Sequence, residues 1–290
     1  MIKIYSKIPV TIFAKENNLL KQTSDKTILI LHQLSMLTTY SGNALLSINY
    51  IIDAIKYKQK YELQQEIIQT LLLLQKENLI KINTKINNPN YIVDIDTSNL
   101  FNLGQFIILE NDEYITIQDN SVSKKELFNL LKILLYLKYK SYKRPYNESI
   151  LETGGKANIC YPSYNEIEDN TNISKNNINK LINKLQDLNL IKYDNLGNRK
   201  MGKEITQCNN IYVVTSLCNK DEIDIELKEG LKQQKHYYEQ QGYKIVKNKT
   251  DNNIRKINGR IGYLTAKLNN KIITKEEEKE LIKLKEEKLK

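Results

Sequence analysis

The chain has 290 residues, with 44 Lys and Arg against 34 Asp and Glu, and its formal net charge is +10. This length allows two or three domains, each with a core of its own. The apolar runs are far shorter than the roughly 20 residues that a membrane span needs, and no secretory signal is recognisable, so we expect a cytoplasmic protein without a membrane partner. Three cysteines with no CxxC pair and two histidines far apart in sequence argue against a zinc site or a disulfide framework.

The charge is distributed unevenly along the chain. Residues 1–118 hold 11 basic and 11 acidic side chains, residues 124–220 hold 16 and 9, and residues 221–290 hold 17 and 13. The chain is rich in Lys, Asn, Ile and Tyr, but a codon bias acts evenly, so the local excess of cations has a physical cause. The excess favours a nucleic-acid partner for the middle of the chain.

The first 118 residues predict three helices followed by a hairpin. The helices fall within 24–40, 47–57 and 62–80, and the hairpin joins strands at 79–82 and 91–95. A second hairpin is predicted at 106–117, with its turn at Asn111 and Asp112, and it ends the first domain.

After residue 120 the same order of elements begins again. A helix at 124–142 precedes a short strand at 158–163, and a helix at 164–170 precedes a longer one that begins at Lys175. Strands at 190–194 and 210–215 then form a hairpin. The two stretches share the order helix, helix, helix, hairpin, although their sequences differ too much to be called a repeat.

The helix that begins at Lys175 has the two faces of a DNA-reading helix. Ser174 stands at the N-cap position, and Ile173 and Ile178 form a hydrophobic staple. An apolar stripe then recurs every three or four residues, through Ile178, Leu181, Ile182, Leu185 and Leu188. The opposite face carries Asn176, Asn179, Lys180 and Asn183, and its acidic residue, Asp187, comes only at the far end. A helix in the major groove requires amides that pair with base edges, a cation that contacts phosphate or guanine, and no carboxylate close to the groove.

The loop between the last two strands is basic. Asn195, Gly197 and Asn198 predict a sharp reversal, and Arg199, Lys200 and Lys203 follow it. Such a loop is either a wing that contacts phosphates or the minor groove, or a solvated loop whose charges do nothing specific. On the first reading we predict that DNA contacts Ser174, Lys175, Asn176, Asn179, Lys180, Asn183, Asn198, Arg199, Lys200 and Lys203.

The predicted fold class is mainly α with small β-hairpin wings (α+β). Two winged-helix domains, 1–118 and 119–220, precede a helical C-terminal extension, 221–290. Residues 124–215 resemble the winged-helix domain of replication initiators carried by Gram-positive plasmids and phages. The resemblance rests on Tyr161 and Pro162 before the two helices and on the LxxLxLI run at 185–191.

The resemblance implies tandem winged helices that bind double-stranded DNA at repeated origin sites, as a homodimer or higher oligomer, and that help to load host replication proteins. Similar domains occur in transcription regulators and in DNA-binding adaptors of plasmid segregation, so these roles stay open. A pure interaction protein without DNA affinity is the alternative from another class.

The first domain has a different surface. Its third predicted helix exposes Glu62, Gln65, Glu66 and Gln69, and phosphates would repel the carboxylates. We therefore expect a protein-contact or dimerisation surface there, although lysines at 56, 58 and 60 offer a backbone contact as the alternative.

The C-terminal extension is predicted as three helical segments. The first ends near Gly242, a heptad-like stripe of Ile and Leu runs through 254–268, and Thr274 with Glu277 forms a capping box before the last. The extension is either a helical hairpin on its own chain or an arm that binds a partner. Arg255 and Arg260 are its candidates for DNA backbone contact.

Nothing in the sequence predicts an enzyme or a cofactor. The glycine pair at 154–155 lacks the other elements of a phosphate loop. The acidic cluster at 110–113 is interpreted as a charged hairpin tip, and His32 in its apolar helix as a core residue.

Overall fold

The structure is a computed structural model. It describes the residues 4–13, 19–22, 25–54, 61–86, 88–102, 106–143, 150, 156–246, 260–265, 267–268 and 273–288. The chain divides into two compact units: unit 1 comprises 1–195 and 209–234, and unit 2 comprises 196–208 and 235–290. The predicted domain boundaries after residues 118 and 220 stay predictions, because contacts in a folded chain do not show which segments fold alone.

The N-terminal half of unit 1, residues 4–120, contains a three-stranded antiparallel sheet packed against helices. Its elements are β1 (Tyr5–Pro9), α1 (Leu19–Gln22), α2 (Thr27–Leu37), β2 (Asn43–Leu46), α3 (Ile48–Ala54), α4 (Tyr61–Lys76), β3 (Lys81–Ile82), β4 (Val93–Asp96), α5 (Ser98–Asn102), β5 (Phe106–Glu110) and α6 (Asn111–Asn120). The strand order of the sheet is β2-β4-β3. The three predicted helices and the first hairpin are thereby confirmed.

The second predicted hairpin, at 106–117, is wrong. Residues Phe106–Glu110 form β5, but the chain then enters α6 instead of turning back. A capping box begins this helix: the Glu110 carboxylate accepts the N–H of Glu113, and the Glu113 carboxylate accepts the N–H of Glu110 at 2.9 Å. β5 pairs instead with β1, from Tyr5 opposite Glu110 to Pro9 opposite Phe106. A strand about a hundred residues away supplies the hydrogen bonds, which the local pattern does not reveal.

The rest of the chain contains the elements that carry the candidate site. They are α7 (Lys124–Lys140), α8 (Tyr164–Thr171), α9 (Lys175–Asp187), β6 (Ile191–Asp194), β7 (Asn198–Met201), β8 (Glu204–Gln207), β9 (Ile211–Val214), α10 (Ile223–Gln240), β10 (Lys244–Val246) and α11 (Lys275–Lys288). The class is α+β with small antiparallel sheets.

The second half of unit 1, residues 121–195 and 209–234, repeats the strand pairing of the N-terminal half. β6 pairs antiparallel with β9. The predicted strand at 158–163 is reduced to one bridge, in which Cys160 and Tyr212 exchange two backbone hydrogen bonds of 3.0 and 2.8 Å. In the N-terminal half, β2 before α3 and β3 after α4 both pair with β4. In the second half, Cys160 before α8 and β6 after α9 both pair with β9.

One apolar core runs through both halves of unit 1. It includes Leu31 of α2, Leu71 of α4, Leu134 of α7 and Leu185 of α9, all completely buried. Two cations on α7 are also buried. Lys138 pairs with Glu113 at 2.5 Å and donates to the carbonyl of Ile108 at 2.8 Å, and Lys132 pairs with Asp25. Buried ammonium groups require such partners, and these partners attach α7 to the N-terminal half.

His32 is a core residue, as predicted. Its side chain is 2 % exposed, its Nδ1 lies 2.7 Å from the Ser6 hydroxyl, and its ring lies 4.3 Å from that of Tyr114. Burial lowers the pKa of His32 to about 4, because a charged imidazolium loses its hydration there.

Unit 2 contains a three-stranded antiparallel sheet with the order β10-β7-β8. The predicted reversal at Asn195, Gly197 and Asn198 is wrong: Asn198 lies in β7 opposite Gln207, and the turn is at Gly202, whose φ is +60°. Glycine adopts this left-handed conformation readily, which places the two-residue hairpin turn at this position.

The C-terminal extension is only partly as predicted. α10 ends before Gly242, and α11 begins with the predicted capping box, in which the Thr274 hydroxyl accepts the N–H of Glu277 at 3.2 Å. The strand β10, however, was not predicted, since its three residues offer no periodicity to recognise. Of the heptad-like stripe, Leu264 is buried and Leu268 exposed, and the part before residue 260 lies outside the described residues.

Candidate nucleic-acid interface

Two helices, α8 and α9, and a short turn form the candidate interface of unit 1. Ser163 begins α8 with a capping box: its hydroxyl accepts the N–H of Glu166 at 3.2 Å, and the Glu166 carboxylate accepts the N–H of Ser163 at 2.8 Å. Asn172 ends α8 in the left-handed conformation, with φ at 57°. Asparagine tolerates this conformation better than most residues, so the sequence itself sets the turn between the helices.

The helix α9 begins at Lys175, as predicted, but its cap differs. Ser174 stands at the N-cap, where its carbonyl accepts the N–H of Asn177 at 2.8 Å, whereas its side chain makes no capping hydrogen bond. Instead, a carboxylate oxygen of Glu168 in α8 accepts the N–H of Lys175 at 3.0 Å. A negative charge at a helix N-terminus is favourable, so α8 stabilises the start of α9 and leaves the Ser174 hydroxyl exposed.

The two predicted faces of α9 are present. Ile178, Leu181, Ile182 and Leu185 are buried, and the residues of the staple, Ile173 and Ile178, both lie in the core. The exposed residues include every position of α9 predicted to contact DNA, together with the N-cap: Ser174, Lys175, Asn176, Asn179, Lys180 and Asn183. The burial of one stripe therefore orients the amide-rich face toward solvent.

Two tyrosines hold two of the amides on this face, those of Asn179 and Asn183. The Tyr164 hydroxyl donates to Oδ1 of Asn179 at 3.0 Å, and the Tyr193 hydroxyl donates to Oδ1 of Asn183 at 2.5 Å. Burial raises the pKa of both tyrosines, so each hydroxyl keeps its proton as a donor.

Each amide then presents a defined set of hydrogen-bonding groups. Within the described part of the chain, the Nδ2 atoms of Asn179 and Asn183 have no hydrogen-bond partner, and each Oδ1 keeps a second lone pair. Paired contacts with a base edge use both groups, one as donor and one as acceptor. The tyrosines thus reduce the side-chain entropy that base contact would cost.

A hydrogen-bond network connects Tyr164 to the last strand. Asn210 donates through Nδ2 to the hydroxyls of Tyr164 and Tyr212, each at 3.3 Å, and its Oδ1 accepts from Nδ2 of Asn195 at 3.0 Å. Sequence reasoning missed Tyr164, Tyr193 and Asn210. Their polar ends reach their partners only in the folded chain, and the one local signal is the position of Tyr164 as the first residue of α8.

The lysines of the helices differ in their contacts. Lys175 donates to Oδ1 of Asn165 at 2.7 Å, and Lys184 pairs with Glu126 of α7 at 2.7 Å. Lys180 is exposed on the outer face. Of the three lysines of α9, Lys175 and Lys180 are therefore exposed, whereas Lys184 is half-buried in its ion pair.

The four wing residues predicted to contact DNA lie in unit 2. Lys200 and Lys203 are exposed, whereas Asn198 is half-buried in β7. Arg199 is held by two rings: its guanidinium lies 4.6 Å from the ring of Tyr238 and 4.9 Å from that of Tyr243. Its Nε also donates to the Thr206 hydroxyl at 3.1 Å. Arg199 therefore has a packing role within unit 2, whatever else it contacts.

Other candidate residues have partners of their own. Arg260 makes two hydrogen bonds of 2.9 and 2.7 Å with the Glu280 carboxylate, and Arg255 lies outside the described residues. On α4, Glu62 and Gln69 are exposed as predicted, whereas Gln65 and Glu66 are half-buried and Glu66 pairs with Lys26. The lysines at 56, 58 and 60 lie outside the described residues.

The described residues include no group of three or more His, Cys, Asp and Glu side chains placed to hold a metal ion. All three cysteines are free thiols, and burial raises the pKa of Cys160 to about 12.

The acidic cluster at 110–113 is structural: Glu110 caps α6 and Glu113 pairs with Lys138. Over the described ranges, no helix is both long and apolar enough to cross a bilayer.

A family model described as a helix-turn-helix domain matches residues 150–191. The matched segment contains α8, the turn at Asn172 and α9, and it ends at the first residue of β6. The match supports DNA as the partner of this half of unit 1. No curated protein matches the chain.

Proposed function

We propose that the chain binds double-stranded DNA sequence-specifically through α9. The observation that carries the proposal is the outer face of this helix, where three asparagines and a lysine are exposed ahead of Asp187 within a matched helix-turn-helix domain. Residues 176–183 reach base edges, and Lys175 and Lys180 contribute charge.

We further propose that both halves of unit 1 are winged helices. The two halves have the same pattern of strand pairing, which supports this proposal. β2 and β3 pair with β4 in one half, and Cys160 and β6 pair with β9 in the other. The N-terminal half then serves protein contact, because its α4 presents the exposed carboxylate of Glu62 and because Tyr40, Leu45 and Ile92 are more than half exposed.

The biological role that fits best is replication initiation at repeated plasmid or phage origin sites. A tandem arrangement with one DNA-reading half and one protein-contact half suits a homodimer or higher oligomer on direct repeats, and it leaves a surface for host replication proteins. The resemblance at Tyr161, Pro162 and 185–191 favours the same role. Catalysis and a cofactor are not part of the proposal. A transcription regulator or segregation adaptor would use the same DNA contacts.

A binding assay with random and enriched duplexes tests the proposal. We expect low-salt binding to random duplex, selection of a defined sequence from a random pool, and a steep fall of affinity with salt. If the selected sequence occurs as direct repeats, a plasmid that carries those repeats should replicate only when the protein is supplied. Binding at neither low nor physiological salt would instead support a pure interaction protein.

A further inference from the structure

The sheet of unit 2 has one face that is covered in part, at Arg199 and Ile245, and one face that is exposed. Successive residues of a strand point to opposite faces, so Arg199 and its cross-strand neighbours Thr206 and Ile245 share one face. On that face the guanidinium of Arg199 lies against Tyr238 and Tyr243. Residues after 234 therefore supply both the two rings that pack on Arg199 and the strand β10.

The opposite face consists of two cross-strand rows. Lys200 stands opposite Ile205 on one side and Lys244 on the other, and the adjacent row is Asn198, Gln207 and Val246. Of these six residues only Asn198 is half-buried, and the others are exposed. The face is polar and cationic, with two apolar side chains and no carboxylate, because Glu204 of β8 lies in register with Met201 on the other face.

The two lysines form an unusual pair. Lys200 and Lys244 are directly opposite each other on neighbouring antiparallel strands, where like charges destabilise a sheet. Within the described ranges neither ammonium has a salt-bridge partner. An anion that bridges both ammonium groups would remove this repulsion.

We propose that the exposed face of the β10-β7-β8 sheet is a second DNA contact of this chain, in which Lys200 and Lys244 bind backbone phosphates. The proposal rests on the proposed DNA-binding function and adds to it a C-terminal residue, Lys244. It assigns the phosphate contact to the face opposite Arg199. Because these contacts address phosphates, they add affinity for any duplex and no sequence preference.

The test measures duplex affinity as a function of salt with the full chain. Lys200→Gln and Lys244→Gln should each reduce the slope of log affinity against log salt by about 0.9, and the double variant by about twice that amount. Cognate and random duplex should be affected alike. Lys232→Gln is the matched control, because it removes one exposed charge from α10, where Lys232 pairs with Glu229 at 2.9 Å. This control should leave the slope nearly unchanged.

A second measurement does not depend on affinity. Bound duplex should protect Lys200 and Lys244 from chemical acetylation and leave Lys232 reactive. Suppose that the wild-type chain has a steep salt slope, that the double variant keeps it, and that duplex protects neither lysine. This result would overturn the inference and leave the proposed function intact. A change of mass in light scattering at an unchanged slope would assign the face to protein contact and overturn it as well. A wild-type chain that binds no duplex would overturn both proposals.

Discussion

The helices α4 and α9 occupy the same place in the two halves of unit 1 but have opposite surface chemistry. Each is the third helix of its order: β3 follows α4 and pairs with β4, and β6 follows α9 and pairs with β9. Each buries an apolar stripe of four or more residues in the common core. The buried stripe therefore fixes the position of the helix and leaves its outer face free to differ.

The outer faces indicate different partners. α4 exposes Tyr61, Glu62 and Leu72, a mixture of ring, carboxylate and aliphatic groups that suits a protein surface. α9 exposes amides and lysines, and tyrosine hydroxyls hold two of the amides. On the proposed function, the two halves would use the same order of elements for two kinds of recognition, because the buried face of each helix serves stability and the outer face serves binding.

The variants with the largest expected effect test whether α4 and α9 share one core. Leu71→Ala on α4 and Leu185→Ala on α9 each remove a completely buried side chain, and each should cost about 2 to 5 kcal/mol of unfolding free energy. Because the core is continuous, both variants should shift the same cooperative transition in denaturant unfolding followed by circular dichroism. The related variant Leu181→Ala should also lose DNA binding through unfolding. Two separate transitions, each moved by only one variant, would contradict the shared core.

A pH titration tests a group that only one half contains, since His32 lies in the N-terminal half and the second half of unit 1 has no histidine. Burial lowers the pKa of His32 from 6.5 to about 4. The unfolded chain therefore binds a proton in a range where the folded chain does not, and stability falls as pH falls. From pH 6.5 to 5 the loss should be about 2 kcal/mol.

Denaturant unfolding at the two pH values measures this loss. His32→Gln removes the titrating ring, so the difference between the two pH values should shrink, even if the variant is less stable at both. A carboxylate with a lowered pKa, such as that of Asp96, loses its contribution to stability only at lower pH. Such groups therefore do not account for a loss of stability between pH 6.5 and 5. An equally large pH effect in His32→Gln would assign the loss to other groups.

Replacing the outer amides separates reading from folding. Asn176→Ala, Asn179→Ala and Asn183→Ala should each cost roughly 1 to 3 kcal/mol on the cognate site where the amide makes a paired base contact, with little change on random duplex. The matched control on the other helix is Glu62→Ala with Gln69→Ala, which should leave both affinities unchanged. A folded triple variant that still discriminates cognate from random duplex as well as wild type would show that α9 is not the reading element.

The smallest effect concerns the tyrosines that hold the amides. Tyr164→Phe and Tyr193→Phe each delete one hydroxyl donor and keep the ring, so we expect a loss of about 0.5 to 1.5 kcal/mol in cognate binding and none in random binding. Tyr161→Phe, whose ring is exposed beside the same helices, serves as the control. Fluorescence anisotropy with both duplexes measures the difference. An equal loss on random duplex would indicate a structural role for the hydroxyls.

Most of the helices and the exposed face of α9 were predictable from the sequence. The start at Lys175, the staple of Ile173 and Ile178 and the outward amides all follow from residues within a few turns of one another. The same holds for the capping box at Thr274 and Glu277. Local spacing suffices for these features because a helix satisfies its hydrogen bonds within its own segment.

Only the tertiary structure decided which distant residues meet. The pairing of β5 with β1 replaced the predicted hairpin, and the addition of β10 to β7 makes the predicted wing a three-stranded sheet. The same holds for the tyrosine rings around Arg199 and for the Tyr193 hydroxyl on Asn183. A strand and a long polar side chain find their hydrogen-bond partners across space, so the sequence determined which groups need partners, and the fold decided which partners they have.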